Sequence, residues 1–284
     1  MAVPEWLFGP SGDLRPLPAP DVDVVNTVER FGGVHNAING ARTVDVLGHR
    51  ANYQFELPYL SLDEYFRLES LYTETIPGPF WLVDPLRKTL VSREAATTRP
   101  ADAHGRGVSV DPSTGALTWI KVLDSPISWS NRGVRVTNIP ETSRIRFDTT
   151  TRFPIVAMRP CTASVYVKSD IAVDLNLALV TFYEDLETET ITGPSSSVVA
   201  GEWTRISYTF SELAAATSAY LAIDTSGIFG SAEGLEIMTP QVELGTSVTD
   251  PALGGGSLRV VIGSMDTVSP RYPLQTVSLE LLEV

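Results

Sequence analysis

One cysteine, Cys161, stands in 284 residues, so no internal disulfide framework holds this chain and nothing in it requires an oxidising compartment. Histidine is nearly as scarce. His35, His49 and His104 sit apart in loop-like sequence, and no H-E-x-x-H, G-x-S-x-G or Walker-type loop is present. No run of about 18 apolar residues occurs, which excludes a spanning helix. The opening stretch MAVPEWLFGPSGDLRPLP has no basic segment followed by an apolar one, and the expectation is a chain made in a cytoplasm without a signal peptide. Positive charge is also in deficit: the net charge of −13 argues against a general nucleic-acid binder, which needs clustered Lys and Arg.

What is present is an ordinary globular balance, 43% hydrophobic and 19% charged, in a chain long enough for two cores. Residues 1–92 read as a first block. Its proline-rich stretch, residues 10 to 20, suits an extended arm, since each proline fixes φ and removes a donor. Asn39-Gly40 offers a hairpin turn. In ANYQFELP, Tyr53, Phe55 and Leu57 alternate with Asn52, Gln54 and Glu56, the pattern of a half-buried strand. SLDEYFRLESLY is the one convincing helix: Ser61 and Glu64 make a capping box, and Leu62, Tyr65, Phe66, Leu68, Leu71 and Tyr72 form an apolar stripe. FWLVDP and KTLVS read as strands that follow it.

Residues 93–107 shift to Ala, Thr, Arg, Asp, His and Gly and read as a linker. From 108 to 251 short strands recur at regular spacing, among them RIRF, TASVYVKS, LNLALVTFYE and SAYLAID, with no convincing helix between them. That pattern indicates an antiparallel jelly-roll sandwich. In GEWTRISYTF, Ile206, Tyr208 and Phe210 alternate with Arg205, Ser207 and Thr209, while Trp203 points with the polar set and is expected to close an end of the sandwich. Gly254–Gly256 falls within a second flexible linker, 252–256. Beyond it, LRVVIG and TVSLELLEV read as a hairpin, which is marginal alone and must join a larger sheet. The fold class is therefore mainly β: a β domain with one helix, built from 1–92 and 257–284, interrupted by an inserted sandwich.

Charge within the insert is uneven. Val108 to Lys168 holds eight Lys or Arg against four Asp or Glu, whereas Ser169 to Asp250 holds thirteen acids and Arg205 alone as a base. Such asymmetry suits a solvated acidic loop, or opposite patches that dock neighbouring copies. Carboxylates are plentiful enough for a glycosidase pair, but no spacing marks one. Asp111 and Asp250, at the two ends of the insert, are the candidates for a shared structural Ca2+. Sugar binding needs flat rings beside polar groups, and Trp119, Trp129, Tyr166 and Tyr183 are the candidate carbohydrate-binding residues, each with core packing as its competing use. Cys161 reads as a small buried hydrophobe.

NGARTVDVLGHRANYQFELPYLSLDEYFRLESLY, followed by PGPFWLVDPLRKTLVS and the terminal TVSLELLEV, resembles minor tail proteins of siphophages that infect actinobacteria. The arrangement also resembles the distal tail protein, and GEWTRISYTF with PQVELGTSVTDP is similar to jelly-roll carbohydrate-binding modules. The resemblance implies a tail-tube-like β domain and a structural virion protein rather than an enzyme. It further implies a homo-hexameric ring at the tail tip that joins the tail tube protein to the hub. The tape-measure protein and host cell-wall glycan are implied partners, and DNA passes through the lumen without specific binding. A host-envelope glycan adhesin is the first alternative. An accessory module of a cell-wall glycosidase is the second.

Overall fold

The computed structural model describes the chain except residues 1–4, 21–22, 37–41, 45–47, 103–104, 112–114, 141–142, 185–187, 212, 214 and 226–228. Asn39-Gly40 and His104 lie outside the described residues. The chain divides into an interrupted unit (Glu5–Pro10, Arg15–Leu82 and Leu258–Val284) and a sandwich unit that includes Ser11–Leu14 and Val83–Ser257.

The interrupted unit carries β1 (Leu7–Gly9), β2 (Arg15–Pro16), β3 (Val25–Phe31), β4 (Val34–Asn36), β5 (Arg42–Val44), β6 (Gly48–Leu60), α1 (Leu62–Tyr72) and β7 (Phe80–Val83). The last two strands of the chain, β19 (Ser257–Arg271) and β20 (Leu274–Glu283), belong with them. They build one seven-stranded sheet in the order β2-β1-β7-β19-β20-β6-β3. Strand alternation decides which face is covered. Tyr53, Phe55 and Leu57 of β6 are buried, and β20 sets Leu281 opposite Tyr53 and Leu279 opposite Phe55. Trp6 meets both rings edge-on, at 5.6 and 5.0 Å between centroids.

Helix α1 closes that apolar face. Its Ser61–Glu64 capping box is formed in both directions, and Leu68 and Leu71 are buried against the sheet. The expected stripe is narrower than the sequence suggested: Phe66 and Tyr72 are 53% and 44% exposed. On the opposite face Asn52, Gln54 and Glu56 of β6 lie beside Ser278 and Glu280 of β20, and the Asn52 amide donates to Glu280 at 2.9 Å.

The sandwich unit begins with the short α2 (Arg93–Ala96) and contains β8 (Val108–Asp111), β9 (Ala116–Lys121), β10 (Arg132–Thr137), β11 (Ser143–Phe147), β12 (Phe153–Pro154) and β13 (Cys161–Ser169). It continues with β14 (Val173–Phe182), β15 (Thr188–Val198), β16 (Thr204–Phe210), β17 (Ser218–Thr225) and β18 (Leu235–Leu244). Two antiparallel sheets result, ordered β16-β13-β18-β10-β9 and β15-β14-β17-β11-β8 with β12 beside β17. This is a β-sandwich of the jelly-roll kind. Val134, Val136, Ile206 and Phe210 point inward from one sheet, Ile145 and Phe147 from the other, and all are buried; Tyr208 is half-buried.

Three sequence expectations change here. KTLVS forms no strand, and Leu90 and Val91 are instead buried in irregular chain of the sandwich unit. The described residues of 93–107 are tied into the sandwich unit and are not a loose linker. Ser92 caps α2 through Ala95 N–H, and its own N–H and hydroxyl donate to Asp148 at 2.7 and 2.6 Å, with Gly107 N–H adding a third bond at 3.0 Å. The 252–256 segment is not flexible either. Gly255 and Gly256 donate to the carbonyls of Val91 and Thr89, at 2.7 and 2.9 Å. A Cβ on Gly254 would lie 2.2 Å from the Ser92 carbonyl oxygen, so this glycine permits close approach of two backbones. The chain thus leaves the sandwich alongside the segment by which it arrives.

Candidate functional site

The hairpin of β9 and β10 pairs Lys121 with Arg132 and Trp119 with Val134, and a loop of residues 122–131 joins the strands. Ser125 organises that loop: its hydroxyl donates to the Ser130 carbonyl at 2.6 Å and accepts from Ile127 N–H at 3.1 Å. Val122 and Ile127 turn inward onto Met238, where Ile120, Tyr166 and Trp203 pack against them. The loop therefore folds over the outer face of the five-stranded sheet. It borders an open, shallow pocket of about 320 Å3 lined by Lys121 to Leu123, Ser125, Ile127 and the run Ser128 to Asn131.

Trp129 lines this pocket with its ring 43% exposed, and its indole N–H donates to the Pro251 carbonyl at 3.0 Å. Trp119, 45% exposed, lies on the same hairpin, with the Arg132 and Arg99 guanidiniums 5.3 and 5.9 Å from its ring. Lys121, Arg132 and Arg99 are exposed, and no carboxylate among the described residues pairs with them. Asp124, in the same loop, is taken by Lys168 at 2.6 Å. The bond to Lys168 holds the Asp124 carboxyl below the usual carboxylate range.

The remaining outer face of this sheet is closed. Glu243 accepts from Thr249 N–H and hydroxyl at 3.0 and 2.5 Å, and Arg205 donates to Thr249 O and Ser164 Oγ at 2.7 and 3.0 Å. Gln241 and Glu243 are buried beneath the segment after β18. Gln241 Oε1 and Arg205 Nε lie there buried without a hydrogen-bond partner among the described residues.

The sequence candidates separate. Trp119 and Trp129 share one hairpin. Tyr166 lies below the loop, half-buried, with the Arg205 guanidinium 5.3 Å from its ring; it supports the site rather than facing solvent. Trp203, expected at an end of the sandwich, packs in that same cluster because its parity matches Arg205 and Tyr166. Tyr183 follows β14, and its hydroxyl donates to Glu189 at 2.5 Å, which pushes the phenol pKa up. It joins neither tryptophan.

Asp111 is paired with Arg146, so a guanidinium already occupies the carboxylate expected to hold Ca2+, and Asp250 is exposed next to Thr249. No group of three or more His, Cys, Asp or Glu suited to a metal occurs among the described residues. The donor set does not fit the expected ion. Burial pushes the Cys161 thiol up to about 12, in keeping with a structural role. Sequence reading missed Lys121, Arg132 and Arg99 as neighbours of tryptophan; the local excess of bases was the signal.

No protein-family model and no curated protein matches this sequence. Among solved structures the chain is similar to the CBM22-1 xylan-binding domain from Paenibacillus barcinonensis Xyn10C, at 11% identity and TM-score 0.42, over 57% of this chain and 97% of that one. It is similar to the enzymatically active domain of Bacteriophage CBA120 tailspike protein 4, at 10% identity and TM-score 0.42, over 55% of this chain and 21% of that one. It is also similar to TmCBM61, solved in complex with beta-1,4-galactotriose, at 10% identity and TM-score 0.39, over 55% of this chain and 99% of that one.

Proposed function

We propose that the protein is a structural virion component, a distal tail (minor tail) protein whose interrupted unit forms a homo-hexameric ring between tail tube and tip hub and displays the sandwich. The observation that carries this reading is β3. It is an edge strand of the seven-stranded sheet, and every one of its residues is exposed, Val25, Val28 and Phe31 at 49%, 43% and 39%. An open edge of seven exposed residues, Val25, Val28 and Phe31 among them, invites pairing in a monomer, whereas in a closed ring an edge can meet the next copy.

The uncovered sheet face adds support. Glu29, Glu56, Glu280 and Asp266 lie on it with Asn52, Gln54, Ser278 and the base Arg50, a wall in which acids outnumber bases and which would not retain passing DNA. The tail tube protein, the hub and the tape-measure protein are the partners of this reading, and the tail tip its location. Mass photometry of the full chain, followed by electron microscopy of labelled tails, tests it. Hexamers and label at the tail tip are expected. A protein that stays monomeric with its tube and hub partners, and never reaches the tail, would overturn it.

The two exposed tryptophans of the β9–β10 hairpin favour a second property of the same protein, binding of a host-envelope glycan by the displayed sandwich. A glycan array with the full chain should give hits that Trp129→Ala removes; a blank array rejects this property and leaves the ring untouched.

A further inference from the structure

We infer that the loop end of the β9–β10 hairpin is a site for an anionic saccharide, a pyranose carrying a carboxylate or phosphate group. This deepens the glycan reading above and rests on it. The first ground is charge. In a chain of net charge −13, Lys121, Arg132 and Arg99 gather at one place without a carboxylate partner among the described residues. Asp124, the acid of the adjoining loop, is held by Lys168 and does not neutralise them. Exposed cations kept apart from available acids can receive an external anion, and guanidinium geometry suits carboxylate and phosphate oxygens.

The second ground is division of labour between the rings. Trp119 has the Arg132 and Arg99 guanidiniums at 5.3 and 5.9 Å, a distance at which the ring face attracts and orients them. Trp129 has no such cation over it among the described residues, and the bond to Pro251 fixes its plane. Its ring remains available for the apolar C–H face of a sugar.

The third ground is space. The pocket beside Trp129 is about 320 Å3, enough for one or two sugar rings, and Ser128, Ser130 and Asn131 in its wall can bond hydroxyls. Lys121 is both a wall residue and the register partner of Arg132, so pocket and cationic rim are continuous.

Calorimetric titration of the full chain tests the site, with galacturonate hexamer and mannose 6-phosphate as anionic probes and galactose hexamer and mannose as their neutral matches. At least one anionic probe should bind at least tenfold tighter than its match and weaken severalfold from 50 to 300 mM salt. Arg132→Gln combined with Arg99→Gln, both exposed and outside the pocket wall, should cost at least tenfold toward the anion and less than twofold toward the neutral sugar. Trp129→Phe should keep most of the binding that Trp129→Ala loses. Equal affinity for charged and neutral sugars, or a double variant that binds the anion normally, would overturn the anionic site while the glycan reading stands. Absence of binding to every sugar defeats both. If the double variant instead abolishes hexamers and no sugar binds, the cations dock a neighbouring copy and the inference fails.

Discussion

The two units finish their sheets in different ways. The six-stranded sheet of the sandwich ends in β8, only four residues long, and in β15, an outer strand of mostly Thr and Ser interrupted by Gly193-Pro194, so those two edges resist further pairing; the five-stranded sheet ends in β16 and β9. The interrupted unit guards one edge with the proline-bearing β2 and leaves β3 open along seven residues. The contrast lies between a sheet with both edges short or interrupted and a sheet with one edge open.

The sharpest break of this contrast is removal of Thr276 to Val284. β20 lies between β19 and β6 and brings Val277, Leu279 and Leu281 to the core, so its loss should cost the interrupted unit its whole stability, on the order of 5–15 kcal/mol. Calorimetry should show one melting transition vanish and the sandwich transition persist. If both transitions vanish, or neither does, the units do not differ as described.

Phe210→Ala probes the sandwich core from within. The ring is 1% exposed and meets Tyr208 edge-on at 4.8 Å, and its removal should cost roughly 3–5 kcal/mol in denaturant titrations. A loss under about 1 kcal/mol would mean that the core tolerates a cavity there.

Asp148 gives the comparison a pH axis. Burial pushes its carboxyl up to about 6, against the three hydrogen bonds that favour the ionised form. A folded pKa above the unfolded value means a stability contribution fully present below about pH 4 and lost as pH rises through 6. Its size is about 3 kcal/mol. The difference between wild type and Asp148→Asn, followed from pH 4 to pH 7, should therefore fall with pH in the sandwich transition alone. A flat difference would place the carboxyl in the ordinary range.

Gly254→Ala should cost about 1–3 kcal/mol, since the new methyl meets backbone rather than a movable side chain. The smallest effect on stability, within about 0.5 kcal/mol, is expected for Val28→Lys on the open edge. The same change should abolish hexamers in mass photometry, because it removes the apolar side chain midway along β3 and adds a second cation two residues from Arg30. Unchanged assembly would remove β3 from the interface.

Periodicity made much of this legible. Tyr53, Phe55 and Leu57 announced their face, as did the tail from Val277, and the Ser61–Glu64 pair announced the helix start. Polar β15 was not legible, because an outer strand has little to bury and Thr and Ser leave no period to read. Nor does a glycine record whether it is there to bend or to let another backbone approach, which is why Gly254–Gly256 reads as loose chain and is packed. Asp148 and Ser92 lie 56 positions apart, and no local pattern signals their bond. At the candidate site the rings stood out by type. Their cations did not, since Arg99 reaches Trp119 from a segment that composition alone marks as linker.

The paired passage of residues 89–91 and 255–257 has a genetic consequence. Gly255 and Gly256 bond back to Val91 and Thr89, and the Ser257 hydroxyl donates to Leu90 O at 2.6 Å, so the sandwich begins and ends at one doorway. A recombination event that exchanged the coding segment between these points would leave the distance between the severed ends nearly unchanged. The surrounding gene would then keep its product in register while the sandwich was replaced wholesale, a route by which one scaffold can acquire a different surface chemistry in a single step.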